Sequence, residues 1–229
     1  MLRRTALLCL WLTTLPHPAL ACRLALVLGF DVSLSVDAAD YAAQRDGIVA
    51  ALTDPRLRAL LLDNPQPVAM AAFEWAGHRE QALIADWTLL DSPAAIDRFA
   101  ATIAAHPRRH RGLTAVGSAL TYAVAQLERA PVCTRQTIDL AGDGVRNNGP
   151  QPRRIYDTSD LGGITVNGLA IGGLDPEVLQ WFRDNVLHGP GAFVEFAASR
   201  ADFAAAFRRK LIREVQEPLL GMAAAPHHG

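Results

Sequence analysis

Lysine is almost missing: of the 22 Lys and Arg residues in this 229-residue chain, Lys210 is the single lysine. Chemistry that needs a lysine ahead of the last helix is therefore excluded. The chain also lacks a low-complexity tract and a long basic run. A formal charge of −1 gives no electrostatic case for nucleic acid or an acidic membrane surface as partner. No Gly-x-Ser-x-Gly sequence occurs, so the strained elbow that exposes a serine nucleophile in many hydrolases is absent. Beyond the first residues no segment approaches the roughly 18 uninterrupted apolar residues that a bilayer span requires.

What is present points to export and to a single core. Half of the residues are hydrophobic, which suits one well-filled domain at this length. Arg3 and Arg4, an apolar stretch over residues 5–15 and the small-residue site Ala19-Leu20-Ala21 form a signal peptide over residues 1–21. Its removal takes Arg3, Arg4 and Cys9 with it, leaving 20 basic and 23 acidic residues, a charge of −3. The expected compartment is the periplasm, with secretion or lipid anchoring through Cys22 as alternatives. The two remaining cysteines, Cys22 and Cys133, form an even pair in an oxidising environment, so a disulfide is the default and two free thiols the alternative. Residues 22–220 then form the domain and 221–229 a disordered tail.

Along the chain, strand and helix patterns alternate. Strands are expected over 23–30, 68–75, 81–87, 137–140, 165–171 and 192–196. Helices are expected over 41–53, 56–62, from the Asp91-Ser92-Pro93 start through Ile103, and over 115–128, 153–158, 176–186 and 201–215. This order predicts an α/β fold with a doubly wound, mostly parallel central sheet, helices on both faces and one antiparallel edge strand from the hairpin across residues 76–80. Trp75, Trp87, Tyr122 and Trp181 read as packing rather than as a cofactor box.

The stretch "LALVLGFDVSLS" ends a buried strand on Asp31 and follows it with Ser33 and Ser35. In such sheets ligands bind outside the carboxyl ends of the strands. Asp143 ends "TIDLAGD" in the same way, with Gly144 behind it to permit an unusual backbone angle, and Thr114 lies in a loop leading into a helix. Two carboxylates and three hydroxyls form an oxygen-only set that suits a hard divalent cation, Mg²⁺ first, with Mn²⁺ or Ca²⁺ as alternatives. Any one of these residues alone is as well explained as a helix cap.

Here the chain resembles a known family. "DVSLS" matches the Asp-x-Ser-x-Ser signature of von Willebrand factor A-type domains, and Thr114 and Asp143 fall where the metal-ion-dependent adhesion site takes its remaining ligands. "AGDGVRNNG", "TVNGLAIGG" and "VLHGPGAFVEF" are further similar to a group of exported bacterial A-type proteins of unknown function. The resemblance implies that Ser33, Ser35 and Thr114 touch the metal, that Asp31 and Asp143 act mostly through water, and that one position stays open for an Asp or Glu of a partner protein. Leu34 and Leu113 stand where the family often has glycine. In that fold Cys22 and Cys133 fall at one height on adjacent strands, at the end away from the metal.

Arg108, Arg109 and Arg111, just before Thr114, are expected to rim the site and attract an acidic partner. His106 and His110 have a metal-like spacing, but Pro107 argues against one helix between them. "GDGVRNN" is also similar to the acidic motif of haloacid-dehalogenase-type phosphatases, yet Ser33 stands where their second acid belongs. The expected function is therefore metal-dependent protein binding without turnover; the alternatives are that phosphatase and a scaffold whose metal holds no ligand.

Overall fold

A computed structural model describes residues 22–173 and 177–216. The expected signal peptide, Pro176 at the start of one expected helix, and the tail lie outside the described residues.

Strand β1 (Cys22–Asp31) is buried along its whole length. Side chains alternate across a strand, so Leu24, Leu26, Leu28 and Phe30 face one layer of helices while Ala25 and Val27 face the other. This two-sided burial is why the run is apolar without a period. Each large apolar side chain contributes roughly 1.5–3 kcal/mol. Four on one face are enough to offset the several kcal/mol that burying the terminal acid costs.

Helices α1 (Ala38–Thr53) and α2 (Pro55–Leu62) follow, then β2 (Val68–Trp75), β3 (Gln81–Leu89), α3 (Pro93–Ala105), α4 (Val116–Leu127) and β4 (Cys133–Gly142). The chain continues through α5 (Pro152–Thr158), β5 (Thr165–Ile171), α6 (Val178–Asn185), β6 (Val194–Ala197), a 3₁₀ turn (Arg200–Asp202) and α7 (Phe203–Val215). The six-stranded sheet has the order β3-β2-β1-β4-β5-β6. Only β3 runs antiparallel, on β2. Helices α1, α2, α3 and α7 cover one face, and α4, α5 and α6 the other.

The elements agree with the sequence pattern, and the boundaries differ where polar chemistry decides them. Helix α1 begins at Ala38, before the apolar period starts, because the Asp37 carboxylate accepts from the Asp40 amide while Asp40 accepts from the Asp37 amide. Strand β4 begins at Cys133, four residues ahead of its apolar run, because Cys22 and Cys133 are register partners. They form a disulfide with Cα atoms 4.4 Å apart. In the loop after β4 the glycine with a positive φ is Gly149, at 66°, and Gly144 has none.

The sheet order places the reversal point between β1 and β4. Asp31 ends the first of these strands and Asp143 directly follows the second. Both carboxylates therefore arrive at the crevice where strand order changes.

Candidate metal centre

Asp31 anchors the loop that follows it: its Oδ1 accepts the Ser33 amide at 2.8 Å, an Asx-type turn that aims Ser33 back over the strand end. Ser33 Oγ lies 3.1 Å from Ser35 Oγ, and Ser35 Oγ donates to Asp143 Oδ1 at 2.6 Å. Thr114 Oγ1 donates to Ser33 Oγ at 3.4 Å. One continuous chain of polar contacts thus joins Thr114, Ser33, Ser35 and Asp143, and Asp31 lies beneath it.

The loop after β4 puts Thr114 in place. The Asn147 side-chain carbonyl accepts the Thr114 amide at 2.8 Å, and the Thr114 carbonyl accepts the Asn147 and Asn148 amides at 3.1 and 3.2 Å. The loop reaches α4 because Gly117 has no side chain: a Cβ there would stand 2.2 Å from the Pro150 carbonyl oxygen.

The electrostatics leave a deficit of positive charge. Asp31 is about 1% exposed, and its carboxyl is pushed up to about 7, first by burial and then by the neighbouring Asp143 charge. Asp31 Oδ2 is buried without a hydrogen-bond partner. Gly142 keeps the space beside it open, since a Cβ at that position would lie 3.1 Å from this oxygen. An orphaned carboxylate oxygen, a second carboxylate and three hydroxyls are the donor set a hard cation takes.

The arginines differ from the expected rim. Arg108 is turned inward, donating to the carbonyls of Val32, Ser33 and Val36 at 2.6, 2.9 and 2.6 Å, so it braces the loop carrying the serines. Arg109 and Arg111 are exposed beside the site. Their segment is tied down by Glu74, the residue before the end of β2, which accepts the Arg109 and His110 amides at 2.7 and 3.1 Å. His106 caps α3 and stands 3.3 Å from the same Glu74 carboxylate, an internal pair. Leu34 and Leu113 are 64% and 46% exposed on the loops that carry the site serines and Thr114.

Sequence reasoning missed Arg200. Its guanidinium donates to Asp143 Oδ2 at 3.1 Å, to the Ser35 carbonyl at 2.7 Å and to Asp40. The spacing Ser199 to Asp202 marks a helix start, and both sides of that capping box form. Nothing local in that signal says that the arginine inside it reaches the crevice.

Solved structures share this architecture. The von Willebrand factor type A protein from Catenulispora acidiphila is 18% identical with a TM-score of 0.58, over 85% of this chain and 43% of that one. Proximal thread matrix protein 1 from the mussel byssus, in a structure with a zinc-occupied adhesion-site motif, is 14% identical with a TM-score of 0.58, over 85% of this chain and 46% of that one. The pilus adhesin SpaC from Lactobacillus rhamnosus GG is 14% identical with a TM-score of 0.60, over 85% and 31%. The chain spans less than half the length of these structures, and the likeness shows the fold: a von Willebrand factor A-type domain. No curated protein matches the chain. Residues 21–219 match the model of a family described as protein of unknown function (DUF1194), and the chain belongs to that family.

Proposed function

We propose that this chain is an exported binding module that takes a divalent cation at Asp31, Ser33, Ser35, Thr114 and Asp143 and uses it to hold a carboxylate of a partner protein. The observation that carries this reading is the buried, unpartnered Asp31 Oδ2 beneath a connected set of hydroxyls and a second carboxylate. Ser33, Ser35 and Thr114 would hold the ion, and the two aspartates would supply its counter-charge. When bound, the cation supplies a positive centre able to attract an Asp or Glu side chain. The exposed Leu34 and Leu113 offer that partner an apolar rim, and Arg109 and Arg111 a positive one that speeds encounter.

The mode is binding rather than turnover. Ser33 stands where a phosphatase would need its acid, and the single lysine is buried between Asp139 and Glu214, away from the crevice. The likeness to a pilus adhesin and a byssus matrix protein supports an adhesive role outside the cytoplasm, and the sequence pattern at the start of the chain supports the periplasm. No described helix is long and apolar enough to cross a membrane.

Calorimetric titration with Mg²⁺, Mn²⁺, Ca²⁺ and, following the byssus protein, Zn²⁺ tests the site. Binding by the wild type that disappears in both Asp31→Ala and Thr114→Val is expected. Equal binding by the wild type and both variants would place the cation elsewhere and end this reading.

A further inference from the structure

Lys210 on α7 is fully buried, and Asp139 on β4 and Glu214 one turn further along α7 are buried with it. Lys210 Nζ lies 2.6 Å from Asp139 Oδ1 and 2.6 Å from Glu214 Oε1. Both Asp139 oxygens are buried, and apart from this contact neither meets a hydrogen-bond partner. The amine nitrogen thus contacts an oxygen bonded directly to Asp139 Cγ, with a second carboxylate beside it. Asn167 on β5 holds that second carboxylate in place, its side-chain amide donating to Glu214 Oε1 at 2.8 Å.

From this juxtaposition we propose that Lys210 and Asp139 join in an intramolecular isopeptide bond, with Glu214 carrying the proton. The ammonium of Lys210 passes a proton to Glu214, and the neutral amine attacks Cγ of Asp139 in its carboxylic acid form. The Cγ–Nζ bond forms, one Cγ–O bond breaks, and the departing oxygen leaves as water, taking its second proton from the amine through Glu214. A cation, an anion and a neutral acid become an amide, a water and a neutral Glu214, so charge and atoms balance and no oxidant or cofactor enters. The water has an exit: a cavity of about 330 Å³ lined by Asn167, Phe193 and Glu214 opens next to the cluster.

Three further features favour the reaction. Burial, reinforced by Glu214, pushes the Asp139 carboxyl up to about 8 against the opposing pull of Lys210, so the acid form that must be attacked persists at neutral pH. Held together at contact distance, amine and acid avoid the entropy of meeting. Arginine serves every other basic position in the chain, and a guanidinium is too delocalised to act as this nucleophile; the one lysine stands where an amine is needed.

The test is the intact mass of the folded wild-type chain after reduction of its disulfide. Loss of one water, about 18 Da below the mass of the same sequence, is expected. Tryptic digestion should give a branched peptide joining residues 136–146 to residues 210–213. A mass with no water lost and separate linear peptides would overturn the bond and leave a buried ion cluster. Lys210→Arg should carry the full mass, and loss of water retained in that variant would also overturn the assignment. Glu214→Gln keeps both reacting groups and should carry the full mass; the same loss of water there would remove Glu214 from the mechanism.

Discussion

Two pairs of buried carboxylates lie in this domain, and they are neutralised in different ways. At the rim, Arg200 reaches Asp143 alone of the two, while Asp31 Oδ2 has no hydrogen-bond partner. In the interior, Asp139 and Glu214 close on Lys210 from two elements. Until the bond proposed above forms, the interior pair holds its own cation, buried between β4 and α7. The rim pair sits at the crevice opened by the strand reversal and leaves a charge to be supplied from outside. Removing a counter-ion from a sealed site costs stability, whereas removing it from an open one costs binding first.

This contrast can be broken at several points. Asp31→Ala should lower cation affinity by more than the 10–100-fold, about, that losing an outer-shell partner costs, with the fold retained by circular dichroism. The reverse pattern, an unfolded chain, would make the rim a structural site as well. Lys210→Met removes the proposed bond and leaves Asp139 and Glu214 buried without their partner, so it should destabilise the domain by at least about 3–5 kcal/mol in denaturant titration, with cation affinity in the surviving fold little changed. Cys22→Ser opens the disulfide that ties the starts of β1 and β4 and should cost about 4–5 kcal/mol on the chain-entropy account, again without touching the rim.

A smaller effect separates the rim by pH. The folded Asp31 carboxyl, held near 7, prefers its proton, so the cation-free chain loses stability as pH rises from about 4 through 7. A bound cation reverses this, and chelation should lower Tm more at pH 8 than at pH 5. Equal losses at both values would mean that Asp31 does not face the ion. The smallest change is expected from Arg109→Ser with Arg111→Ser, which should slow association with an acidic partner by up to about 10-fold at low salt and leave cation affinity unchanged. Arg108→Ser should instead weaken the cation site, because Arg108 braces the carbonyls of Val32, Ser33 and Val36.

Much of the rim was legible in sequence because each contribution is local. A strand buried on two faces must be apolar throughout, so the acid that interrupts it and the hydroxyls two and four residues on stand out. "AGDGVRNNG" is visible for the same reason, although the left-handed glycine in it is Gly149 rather than Gly144. Arg200 was not legible. It lies 57 residues beyond the carboxylate it binds, inside an ordinary helix-start signal. The interior cluster was hidden in a similar way: Lys210 and Glu214 have the spacing of a common surface pair, and Asp139 is a lone acid within a strand.

By itself the sequence determined the alternation of strands and helices, the antiparallel edge and the residues that gather at the strand ends, since each follows from periodicity and caps within a few residues. Tertiary structure alone decided which cations those carboxylates meet. Side chains on α7, the turn before it and β4 come together only when helix packs on sheet, and burial then sets the charge each acid can hold.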